Sequence, residues 1–165
     1  LLTPKEVYPS IYDVDFDRLK NRGIKGILVD IDNTLVVPGT LRLTLMTIQW
    51  IDKVKAHGFE LCLISNDFGK KRVMKIAKLL KVPIVHTTLR PLPWGIESAM
   101  NDILKLKVHQ IAVIGDTVLT DIFPGNWIDT YTILVNPISA EEDTIPQKFS
   151  RSVGNIVSKF IVGDS

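Results

Sequence analysis

The sequence predicts an α/β fold built on a mostly parallel sheet, and three observations carry that expectation. Short apolar runs alternate with segments of helical periodicity along most of the chain. The runs are continuous rather than alternating with polar residues, as in strands buried on both faces. Residues able to do chemistry gather just after those runs, where the strand ends of a parallel sheet face one crevice.

Taken in order, Gly26-Ile27-Leu28-Val29 is the first strand. The segment from Leu43 to His57 places Leu45, Ile48, Ile51 and Val54 on one helix face, and Gly58 ends it as a helix C-cap would. Phe59 to Ile64 reads as the next strand, and Lys70 to Leu80 as a helix with a stripe of Val73, Ile76, Ala77 and Leu80. Asp67 stands where it could cap that helix. Val82-Pro83-Ile84-Val85 reads as a short strand that Pro83 weakens or places near an edge. A helix follows over Ile96 to Leu106, then strands over Ile111 to Ile114 and Tyr131 to Val135, with a closing helix expected over Gln147 to Phe160.

Composition narrows the classes of function. The chain has 165 residues, 45% hydrophobic and 23% charged, which suits a single domain over residues 1–165. A formal net charge of +2 is too small to imply a nucleic-acid partner. No apolar run reaches the length of a membrane span, and residues 1–12 lack the apolar core of a signal peptide. A cytoplasmic protein is therefore expected. The one cysteine, Cys62, lies within an apolar run and reads as a buried structural thiol.

The polar groups that follow the strands are Asp30 and Asp32 after the first, Ser65, Asn66 and Asp67 after the second, and Asp116 and Asp121 after the fourth. Arg90 lies a few residues beyond the third. Carboxylates brought together repel unless a cation or proton lies between them. Oxygen ligands without a His or Cys cluster favour Mg²⁺ over zinc, and Mg²⁺ is the usual partner of a phosphate group. A carboxylate can also attack phosphorus covalently, and a second one nearby can serve as general acid and then base.

Asp30-Ile31-Asp32-Asn33-Thr34-Leu35 resembles the first motif of haloacid-dehalogenase-type (HAD) phosphatases. Ser65 resembles their second motif, and Gly115-Asp116-Thr117-Val118-Leu119-Thr120-Asp121 is similar to their fourth. Together with Gly26 to Val36, Ser65-Asn66 and Tyr131 to Val135, these residues point to the YqeG-type branch of subfamily IIIA, related to phosphatidylglycerophosphate phosphatases.

The resemblance implies a HAD-like, Rossmannoid three-layer fold and an aspartyl-phosphate mechanism. Asp30 would be the nucleophile and a Mg²⁺ ligand. Asp32 would be the acid/base and would ligate the metal through its backbone carbonyl. Ser65 and the Asn66 backbone amide would hold phosphate oxygens, Asp116 would ligate Mg²⁺, and Asp121 would ligate it or orient its waters. Arg90-Pro91 stands where the third motif carries lysine and proline, so Arg90 would supply the phosphate-binding positive charge.

The intervals Asp30 to Ser65 and Ser65 to Arg90 each hold one helix and one strand, leaving no room for the cap domain that HAD enzymes usually insert there. An open site suits a large or lipid phosphate, and by resemblance phosphatidylglycerophosphate is the leading substrate. Lys70, Lys71, Arg72, Lys75, Lys78 and Lys81 make one helix basic, and it could rest on an anionic membrane at the inner face or simply be a solvated surface. Two alternatives stand beside the phosphatase acting on a lipid. One is a phosphate-binding regulatory or assembly module with weak catalysis. The other is an enzyme for small-molecule or nucleotide phosphates, capped by oligomerisation.

Overall fold

The computed structural model describes residues 1–66, 68–87 and 92–138. The expectations for Asp67, Arg90-Pro91 and the closing helix at Gln147 to Phe160 lie outside the described residues.

Among the described residues, six strands form one sheet: β1 (Glu6–Tyr8), β2 (Gly26–Asp30), β3 (Glu60–Ser65), β4 (Ile84–His86), β5 (Ile111–Gly115) and β6 (Tyr131–Val135). Their spatial order is β1-β6-β5-β2-β3-β4, and every pairing is parallel. The chain leaves β2 toward β3 and β4 on one side, then returns to place β5 on the other. The strand order therefore reverses at β2, the position where open α/β sheets place their ligand crevice.

The three layers follow from the two-residue period of the strands. Ile27, Val29, Leu61, Leu63, Ala112 and Ile114 point into one core cluster, with Trp50, Ile51, Val54, Val73 and Ile76 above them. Those covering residues come from α2 (Leu45–Ala56) and α3 (Lys70–Leu80), while α1 (Phe16–Asn21) adds Phe16 and Leu19. Leu28, Cys62, Ile64, Ile111 and Val113 point the other way, against Ile96, Ala99 and Leu104. Both faces are thus dry, which is why the runs read as continuous. Burial pushes the Cys62 thiol up to about 12, so it stays protonated and inert.

The predicted helices sit close to their expected places, but α2 buries Thr47 and Trp50 with Ile51 and Val54 and leaves the expected Leu45 and Ile48 exposed. Thr44 caps α2 by accepting from the Thr47 amide, and Gly58 follows it with φ 83°. The third helix begins at Trp94 as α4 (Trp94–Ser98) and continues as a π-helical stretch, Ala99–Leu104. The edge strand is shifted from Val82–Val85 to Ile84–His86, because Pro83 has no N–H to give. The Pro83 carbonyl still accepts from Leu63, and β4 forms the sheet edge. Between β2 and β3, and between β3 and β4, the described residues form one helix each and no inserted domain.

Strand β1 and helix α1 escape sequence reading. Glu6-Val7-Tyr8 is three residues long and half exposed, so it carries no apolar run. It forms because Glu6, Val7 and Tyr8 pair with Ile133, Leu134 and Val135, while Glu6 receives the Tyr131 hydroxyl and the Arg18 guanidinium.

Candidate active site

The register brings the polar strand ends together. Asp30 lies opposite Ile64, one residue before Ser65, and Val29 lies opposite Ile114, one residue before Gly115. Since the strands are parallel, Asp30, Ser65 and the Gly115-Asp116 turn all emerge at one edge of the sheet.

Asp30, Asp116 and Asp121 each offer a carboxylate oxygen within 4.8 Å of the others. Asp30 is 7% exposed and Asp121 2%. Asp121 reaches back from a π-helical stretch, Val118–Ile122, where its amide donates to the Thr117 carbonyl and its Oδ2 accepts from the Thr117 amide at 3.1 Å. Gly115 makes room for this fold-back, since a Cβ there would collide with the Asp121 side chain. Burial first, and the negative charge of Asp121 second, raise the Asp116 carboxyl to about 6.

The loop after β2 is a compact turn. The amides of Leu35 and Val36 donate to the Ile31 carbonyl, Asn33 takes the left-handed conformation at φ 65°, and its amide donates to Val36. Asp32 and Val36 form a parallel bridge. The turn buries Thr34 completely and sends its hydroxyl to Asp116 Oδ1 at 3.4 Å. From α2, Thr47 fastens the loop by donating to the Leu35 carbonyl at 3.0 Å.

The Asp32 carboxylate is not one of the three clustered groups. Both its oxygens accept from Arg72 Nη2 at 2.6 Å, and Arg72 Nη1 donates to the Thr40 carbonyl at 2.8 Å. This corrects the reading of Arg72 as one more charge on a solvated face. The lysines of α3 are exposed, whereas the Arg72 side chain is only 14% exposed.

Ser65 is buried at the end of β3, its carbonyl accepting from Thr87, and Asn66 is exposed beside it. Sequence reasoning gave no role to Thr34 or Arg72. For Thr34 nothing local distinguishes a hydroxyl that reaches Asp116. For Arg72 a signal exists: it lies one helical turn before Ile76 and two before Leu80, on the line of the buried stripe.

Three convergent carboxylates, one with a raised pKa, suit a hard divalent cation. The set contains oxygen donors alone, with no His or Cys among them. A groove of about 700 Å³ lies elsewhere, lined by Tyr12, Phe16, Trp50, Lys53 and His57 among others, and none of the three aspartates borders it.

Comparison with known proteins finds phosphatases. The sequence profile of the family described as mitochondrial PGP phosphatase matches residues 1–139. Probable phosphatase YqeG of Bacillus subtilis (strain 168) is 33% identical over 150 residues, covering 91% of this chain and 86% of that protein. Phosphatidylglycerophosphate phosphatase 1, chloroplastic/mitochondrial, of Arabidopsis thaliana is 30% identical over 146 residues, covering 84% of this chain and 42% of that longer protein. Among solved structures, the cobalt-bound deoxy-D-mannose-octulosonate 8-phosphate phosphatase of Haemophilus influenzae superposes with a TM-score of 0.55 at 16% identity, covering 88% of this chain and 96% of that one. A HAD family hydrolase of Streptomyces avermitilis superposes with a TM-score of 0.53 at 14% identity, covering 68% and 67%. At those identities the likeness is one of fold.

Proposed function

Since this chain belongs to the mitochondrial PGP phosphatase family, we propose that it hydrolyses a phosphate monoester through Asp30 as covalent nucleophile. The chain is a HAD-type phosphatase, a phosphoric monoester hydrolase. The finer reading rests chiefly on the clustering of Asp30, Asp116 and Asp121 at the strand ends.

An Asp30 oxygen attacks phosphorus as the bond to the leaving oxygen breaks, and the Asp32 carboxyl gives that oxygen its proton. Asp32, now a carboxylate, takes a proton from water as the water oxygen attacks the aspartyl phosphate. Inorganic phosphate leaves and Asp30 is regenerated. Asp30, Asp116, Asp121 and the Asp32 carbonyl would hold Mg²⁺, which when bound neutralises charge on the phosphoryl oxygens. Ser65 and the Asn66 amide orient the phosphate, and Arg90 adds positive charge to it.

A lipid phosphate such as phosphatidylglycerophosphate fits this reading best. Two observations support it besides the relatives' names. The described intervals on either side of β3 hold no cap domain, so a bulky substrate is not excluded. Lys70, Lys71, Lys75 and Lys78 are exposed on α3, Lys81 is exposed just past its end, and Phe68, 94% exposed, lies two residues before the helix. A basic face beside an exposed aromatic suits an anionic lipid surface. The proposed contact is peripheral, at the inner face of the membrane; among the described residues no helix is long and apolar enough to cross one.

The test is phosphate release from p-nitrophenyl phosphate and from phosphatidylglycerophosphate in vesicles, with and without Mg²⁺. Turnover that needs Mg²⁺ and vanishes in Asp30→Asn is expected. Folded protein that binds Mg²⁺ yet turns over neither substrate would overturn the catalytic reading in favour of a binding module. Turnover of the soluble ester alone would remove the lipid. Failure to co-sediment with anionic vesicles at low salt would remove the membrane contact.

A further inference from the structure

We infer that Arg72 is a positioning residue that fixes the direction of the Asp32 side chain, whose carboxyl, once protonated, gives the leaving group its proton. This rests on the acid/base role proposed for Asp32.

The backbone around Asp32 is already pinned by the Val36 bridge and by the turn closed on the Ile31 carbonyl. What the turn leaves open is the direction of the side chain. Asp32 follows Asp30 by two residues and shares its loop with Thr34, which touches Asp116. Its carboxylate therefore has two chemically reasonable destinations, the metal-binding cluster and helix α3. Arg72 selects the second by holding both oxygens at 2.6 Å.

Arg72 is itself fixed at both ends. Its main chain lies in the first turn of α3, anchored by Val73, Ile76 and Leu80 in the core. At its tip, Nη1 donates to the Thr40 carbonyl at 2.8 Å, which fixes the rotation of the guanidinium plane. A planar group tied by one nitrogen to the backbone and by the other to a carboxylate defines direction as well as charge, which an ammonium does not. The pair is partly sheltered, with Arg72 14% and Asp32 26% exposed, so water screens it less than a surface pair. It also spans 40 residues of sequence, joining the loop after β2 to the helix after β3.

The readout is the dependence on leaving group. An alkoxide needs a proton to depart, whereas p-nitrophenolate departs without one, so a misplaced acid harms alkyl esters selectively. The quantity to compare is kcat/KM, which covers the steps up to loss of the leaving group. For Arg72→Gln, kcat/KM on glycerol 3-phosphate is expected to fall by about 10²-fold, with p-nitrophenyl phosphate falling less than about 5-fold. Arg72→Lys should recover part of the loss, and the double variant Arg72→Gln/Asp32→Asn should be no worse on the alkyl ester than Asp32→Asn alone.

Equal losses on the two esters, or losses that add in the double variant, overturn the inference. If Arg72→Gln does not fold, the same selectivity must appear, more weakly, in Arg72→Lys, and its absence there overturns the inference as well. The Asp32→Asn control separates the two failures. If it shows no selectivity for the alkyl ester, the acid/base reading itself is wrong. If it is selective and the Arg72 variants are not, only the positioning role is lost.

Discussion

The Asp121 side chain lies directly over Gly115, filling the space that a Cβ at that position would occupy. One member of the carboxylate cluster thus depends on the absence of a side chain at the end of β5.

Gly115→Ala should therefore act at a distance of one turn. The added methyl forces Asp121 outward or the strand end to shift, at a cost of about 1–3 kcal/mol in stability. Mg²⁺ affinity and kcat should fall together, because Asp121 leaves the cluster. Thermal denaturation with and without Mg²⁺ checks this: the variant should melt lower and gain less from the metal than the wild type.

The raised Asp116 carboxyl makes stability depend on pH in a defined direction. Its ordinary value is 3.8 and its folded value about 6, so between them the folded protein binds a proton that the unfolded chain has released. This contribution is present in full below the unfolded value, declines as pH rises through the window, and is gone above about 6. Metal-free wild type should therefore lose stability relative to Asp116→Asn as pH rises from about 4 to 7. Added Mg²⁺ should restore stability above that window and have little effect at its acid end, since the cation needs the ionised carboxylate. Melting curves across pH, with chelator or with Mg²⁺, would show both arms.

Thr34→Val keeps the shape of a fully buried side chain and removes its hydroxyl from Asp116. A net hydrogen bond of about 1 kcal/mol corresponds to a roughly 5-fold weaker Mg²⁺ affinity. Titration calorimetry should show that loss, with little change in the fold by circular dichroism.

Asp30→Asn should separate function from stability. Turnover should fall by at least about 10³-fold, as expected on loss of a nucleophile. The fold should persist, which circular dichroism checks. An unchanged rate would remove Asp30 from the nucleophile role.

Much of this was legible residue by residue. The strand runs announced a sheet covered on both faces, and Gly58 and Pro83 marked a helix end and a sheet edge. Strand β1 was not legible, because three half-exposed residues carry no pattern and pair only once β6 exists to receive them. Arg72 was hidden among lysines of the same charge, and its place on the Ile76 and Leu80 line was the one trace of its inward direction. Arg90 lies outside the described residues, so its expected contact with phosphate rests on its place in the sequence alone.

The sequence by itself determined the α/β architecture and the identity of the acidic residues at the strand ends. Apolar periodicity is local, and a parallel sheet sends every strand's C-terminal end to the same edge. Only the tertiary structure decided which carboxylates meet. Asp30, Asp116 and Asp121 converge, while Asp32, two residues from Asp30, turns to Arg72. Backbone pattern sets where a side chain starts, but its direction is chosen by the charges and hydrogen bonds that distant segments bring beside it.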